Sequence, residues 1–353
     1  MTAPADVRRR SEVDARKRIA CIAPAVAALF YPVGLHALYG AGRLVHDATS
    51  PESALPAWTI MIGAAAVVYS VPAIALWAIR ALGEEQHPGP AHVRARAFAH
   101  LAFASPPLFT ALGVALYLVH SNSDRFAWAL VWLPIVAVVI VDERRLAARG
   151  SHPRTPLRWL RTAHGLSAVA ILVMFLAPHI ANHLTAIWST DVHKSVMEIF
   201  RTAYRQSAVQ SVLVGLFLFQ IVGGLTLLRR RIGVGDNTIG SLQTAAGAYL
   251  AAFIASHLVA VFILGRQALH VDTNWDYAVG APAGLMGDLF ARRFPPQRTR
   301  SMRAQSGSAR PPCEAKRGEP GRRRGDRSRR GGRFDDHAGN ARLARKSIDV
   351  ESA

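Results

Sequence analysis

The chain has 353 residues, 51% of them hydrophobic and 18% charged, and a formal net charge of +19. Apolar and basic residues must therefore be segregated, which excludes an ordinary soluble domain: from Arg292 onward, 62 residues hold 18 Lys and Arg against 7 Asp and Glu and contain no apolar run. The two cysteines, Cys21 and Cys313, exclude a disulfide framework or CxxC site, and without GxSxG, Walker or GxGxxG motifs the chain lacks the marks of the corresponding enzymes.

Seven apolar runs follow one another at about 19–40, 57–80, 99–120, 126–142, 163–188, 208–228 and 245–265. Most approach the ~20 residues that cross hydrocarbon, and lengths of this kind suit helices rather than barrel strands. The first follows a basic segment, 1–18, as a signal peptide would, but it is long and lacks a clear cleavage site, so it reads as a retained helix. The expectation is an all-α, polytopic transmembrane bundle of about seven spans with a disordered basic C-terminal tail, embedded in a lipid bilayer. Pro32, Pro72, Pro106, Pro107 and Pro134 read as kinks in these helices.

Basic residues set the orientation. The N-terminus, the 81–98 loop, the 143–162 loop and Arg229, Arg230 and Arg231 alternate with less basic connections, which predicts a cytoplasmic N-terminus in a bacterial-type inner (plasma) membrane. The 266–291 stretch is then an outer-side or re-entrant segment, or an eighth crossing, and 292–353 has an Arg-rich texture that suits disorder. No specific nucleic-acid partner is expected for that tail.

Ionisable groups inside spans are costly and often functional, and here they are mainly histidines. In the fifth run, RTAHGLSAVAILVMFLAPHIANHL, His164 opens the helix, His179 lies fifteen residues on, about 22 Å across, and His183 shares its face. In the seventh, GAYLAAFIASHLVAVFILG, His257 reaches about the same depth from the same side. Two imidazoles at one depth on separate helices can take the axial positions of a haem iron. Alternatively, His179, His183 and His257 hold a divalent transition metal, or the histidines only hydrogen-bond neighbouring helices. His36 is a candidate ligand or quinone contact, whereas His100 and His120 read as interfacial. Arg201 and Arg205, with Tyr204, lie beside the outer histidines and could pair with haem propionates.

The stretch 158–265 resembles the succinate dehydrogenase/fumarate reductase cytochrome b membrane-anchor family. Carrying the likeness are Arg161 and His164 opening a helix, then His179, Asn182 with His183, Tyr204 with Arg205, and His257. The resemblance implies that His179 and His257 ligate the haem nearer the outer face, with quinone and iron–sulfur or flavoprotein subunits as partners. It departs at QIVGG, where Gln220 stands in place of a second-haem histidine, so one haem b is expected rather than two. The four spans within 19–142 lie outside the resemblance and have no assigned role. The expected function is a membrane b-type cytochrome that exchanges electrons with quinone or a partner subunit, at most the membrane electron-transfer subunit of an oxidoreductase. Its alternatives are a His-rich metal-binding membrane protein and a non-redox structural or carrier protein.

Overall fold

The computed structural model describes residues 4–143 and 157–270, with side chains from 15–142 and 157–270. Among these the secondary structure is entirely helical. The parts of the 143–162 loop before residue 157, most of 266–291 and all of the 292–353 tail lie outside the described residues.

Five helices are long and apolar enough to cross a membrane: Pro51–Gly83, Asp124–Asp142, Arg158–Thr185, Ser207–Arg231 and Thr238–Ala268. Two further pairs, Ala15–Leu29 with Tyr31–Asp47 and Pro90–Phe103 with Ser105–Leu118, become spans if each bent pair is one crossing, which makes seven. This is the architecture of a multi-pass helical membrane protein. All seven apolar runs expected from the sequence coincide with these helices or pairs.

In chain order the elements are α1 (Pro4–Leu29), α2 (Tyr31–Asp47), α3 (Pro51–Gly83), α4 (Pro90–Phe103), α5 (Ser105–Leu118) and α6 (Asp124–Glu143). There follow α7 (Arg158–Ile171), a π-helical turn (Leu172–Leu176), α8 (Ala177–Thr185), α9 (Thr190–Tyr204), α10 (Ser207–Arg231), α11 (Thr238–Leu258) and a π-helical end (Val259–Ala268). The bends, 49° between α1 and α2 and 68° between α4 and α5, fall beside Pro32 and beside Pro106 and Pro107, each proline within the first turn of the second helix. Pro72 and Pro134 instead sit inside unbroken helices. Side-chain caps fix several starts: Ser50 and Ser53 form a reciprocal capping box on α3, Ser189 accepts from the Val192 amide, and Asn237 accepts from the Gly240 amide.

The first six helices pack tightly because their contacts are small. Ala20, Ala25, Ala28, Ala75, Ala78, Ala95 and Ala99 are buried, which lets backbones approach where apolar burial between lipid-bathed helices supplies little driving force. An aromatic chain of Tyr31, Phe109, Trp128 and Trp132 joins the same core, and the buried Trp128 Nε1 donates to the Ala28 carbonyl at 2.7 Å. Large apolar side chains such as Phe126, Leu130 and Trp188 face outward, as expected of a bundle whose solvent is lipid.

Among the described residues, basic side chains of α1, α3, α4 and α10 have partners at one end of the bundle. Lys17 pairs with Glu85 at 2.8 Å, Arg94 binds Asp142 through two hydrogen bonds of 2.7 and 2.8 Å, and Arg80 reaches Thr238. Deeper in, the Arg96 guanidinium is 1% exposed, donates to the carbonyls of Ile232 and Val234 and lies 3.4 Å from Asp236, which Arg231 also grips at 2.6 Å. His100, expected at the interface, is buried instead: its ring pairs with the Arg96 carbonyl at 2.8 Å and Thr244 at 3.2 Å. His100 is buried because α4 is covered by α1, α3, α6 and α11; on the same helix His92 pairs with the Leu82 carbonyl of α3 and Arg94 with Asp142 of α6.

Candidate histidine site between the fifth and seventh spans

The fifth and seventh spans each pack along α10, which forms the back wall of a cleft between them. The fifth span is irregular as it nears its histidines. The π-helical turn Leu172–Leu176 widens the helix, and Pro178, one residue before His179, has no N–H for the Met174 carbonyl that an α-helical residue at 178 would bond. Tyr204 at the end of α9 donates its hydroxyl to that carbonyl at 3.2 Å. The seventh span turns π-helical two residues beyond His257. Both histidine-bearing helices thus depart from α geometry beside their histidines, a feature enriched at functional sites.

His179 and His257 approach each other with ring centres 6.4 Å apart and planes at 71°. A metal ion bound linearly between two imidazoles, at about 2.0–2.1 Å from each nitrogen, needs ring centres roughly 6.3 Å apart. The separation of the two ring centres is close to that distance. Aromatic rings surround the pair: Phe175 stacks on His179 at 4.9 Å, Phe253 lies parallel to His257 at 5.9 Å, and Phe217 and Tyr204 contact Phe175. His257 retains an exposed side, so the pair is not sealed by packing.

Two further histidines extend the row. His183 sits edge-on to His179 at 4.7 Å, and His193 tilts against His183 at 5.5 Å. His193, on α9 in what the sequence suggested was an outer loop, is 1% exposed and 3.4 Å from the side-chain amide of buried Asn182. It was missed because α9 reads as a polar connection; its amphipathic spacing and the Ser189 cap were the available signals. Burial holds the His193 ring below the ordinary histidine pKa, reinforced by His183 and the Arg201 charge. Arg201 is half-buried near this ring, whereas Arg205 is exposed at the helix end.

The remaining candidates are scattered. His36 is exposed and pairs with Arg125 at 3.1 Å, and His120, in the left-handed region with φ of 56°, ends α5. His164 lies at the basic end of the cleft, against Gly223 and Gly224. Gln220 donates to the His164 carbonyl and the Ser167 hydroxyl, both at 2.7 Å, and so ties α10 to α7. Among the described residues no group of three His, Cys, Asp or Glu could hold a metal ion, so the three-histidine metal reading at His179, His183 and His257 gains nothing from the geometry.

No family model, curated protein or solved structure matches the chain. These comparisons identify no cytochrome b family for it.

Proposed function

We propose that the chain is a membrane b-type cytochrome that holds one haem b between His179 and His257 and exchanges electrons with quinone or with a partner subunit. What supports the reading is one observation, the 6.4 Å between two imidazole centres on separate spans. A bound haem would supply a one-electron redox centre. The chain's own contribution is position: the π-helical turn and Pro178 shape the helix beneath His179, Tyr204 fixes that segment, and Arg201 and Arg205 offer cations for propionates. Flavoprotein and iron–sulfur subunits, a bacterial inner membrane and a cytoplasmic N-terminus belong to the same proposal.

A second reading is that the histidines only join helices. The parallel stacking of Phe175 on His179 favours it, because that contact is satisfied without a cofactor. Haem quantitation on protein expressed with haem precursor separates the two: the first reading expects one haem per chain, the second none.

A further inference from the structure

The helix α9 joins two spans at close range. Residues 186–189 separate it from the fifth span, and Arg205 with Gln206 separate it from the sixth. Three chain steps from Tyr204 to Ser207 reach about 11 Å at most, so the helix cannot stand away from the membrane face where those spans are joined. At about 100° per residue its side chains fall into three stripes. His193, Val196, Met197, Phe200 and Tyr204 form the first, which is buried or half-buried and packs toward the fifth span, His193 on His183 and Tyr204 on Phe175. Asp191, Lys194, Glu198 and Thr202 form the second, all of them exposed. The third, made of Val192, Ile199 and Ala203, is apolar yet exposed, Ile199 by 70%.

Each stripe asks for a different surrounding. Protein covers the first; water suits the second but not the third, and hydrocarbon suits the third but not an aspartate, a lysine and a glutamate. The boundary between lipid headgroups and acyl chains accommodates the second and third at once. The third stripe also continues an exposed apolar line that leaves the fifth span through Leu184, Ile187 and Trp188, and tryptophan is enriched at that boundary. We infer that α9 is a membrane-surface helix whose Val192, Ile199 and Ala203 stripe docks on the bilayer at the headgroup–acyl boundary. The lipid surface holds the helix against α8 and so keeps His193 and Tyr204 beside the fifth span. The docking needs only the three stripes and does not rest on a bound haem.

The test uses the full chain carrying Cys21→Ala and Cys313→Ser, with single cysteines introduced as Val192→Cys, Ile199→Cys, Lys194→Cys or Glu198→Cys. Each is spin-labelled and reconstituted in phosphatidylcholine nanodiscs. Collision of the label with oxygen, which partitions into lipid, is compared with collision with a water-soluble nickel chelate. Labels replacing Val192 and Ile199 favour oxygen over nickel at least about threefold more than labels replacing Lys194 and Glu198. Should a variant at Val192 or Ile199 fail to fold, Ala203→Cys reports on the same stripe. Equal nickel collision at all four positions places α9 in water and overturns the docking. Labels replacing Val192 and Ile199 that are shielded from both reagents mark a protein neighbour instead, which overturns it too.

Discussion

Tyr204 donates its hydroxyl to the carbonyl of Met174, 3.2 Å away, the acceptor that Pro178 leaves without its α-helical partner. Inside a span an unpaired carbonyl costs more than the same group in water, so this bond offsets part of the cost of a proline immediately before His179.

Tyr204→Phe keeps the ring against Phe175 and Phe200 but removes the donor. Stability should fall by about 1 kcal/mol. In a Pro178→Ala background, where the amide is restored, the same substitution should cost less. Thermal unfolding of the four proteins in detergent gives the cycle; equal costs in both backgrounds would show that the bond does not answer to Pro178.

His193 makes stability pH-dependent. Its folded pKa lies below the ordinary value of 6.5, so the unfolded chain takes up the proton first. The contribution is therefore complete above about pH 6.5 and is lost as pH falls below it toward the depressed folded value. Melting temperature measured from about pH 7.5 to about pH 5 should drop for wild type and drop less for His193→Gln. Parallel curves would remove His193 from the account.

The buried cation Arg96 and its partner Asp236 make unequal demands. Asp236→Ala leaves a guanidinium that is 1% exposed without its carboxylate and should cost about 3–5 kcal/mol or abolish folded expression. Arg231→Ala removes a half-exposed partner while Arg96 still faces Asp236, and should cost about 1 kcal/mol or less. Size-exclusion profiles and unfolding curves compare them; a larger loss for Arg231→Ala would reverse the assignment.

The spans were legible because each needs only its own apolar length, and the prolines beside residues 30 and 104 sit at both bends. The depth match of His179 and His257 was legible too, since helical rise is fixed along one helix. What the sequence hid depends on partners far along the chain. His100 and Arg96 bond to Thr244, Val234 and Asp236, more than 130 residues away, and nothing near α4 announces those partners. His193 was hidden for a different reason: a short amphipathic helix between spans looks like any polar connection until its apolar face is seen against α8. The cleft lined by Gln220 was unreadable because its walls come from three helices spread over about 100 residues of sequence.

The most direct test of the haem reading is the dithionite-reduced minus oxidised absorbance spectrum of the purified full-length protein, alongside His179→Ala, His257→Ala and His183→Ala. The account predicts the narrow α band of a low-spin, six-coordinate b-type haem at one haem per chain, abolished or converted to a high-spin form in both His179→Ala and His257→Ala, and retained in His183→Ala. A wild-type protein with no such band, or a band unchanged when either His179 or His257 is replaced, would contradict it.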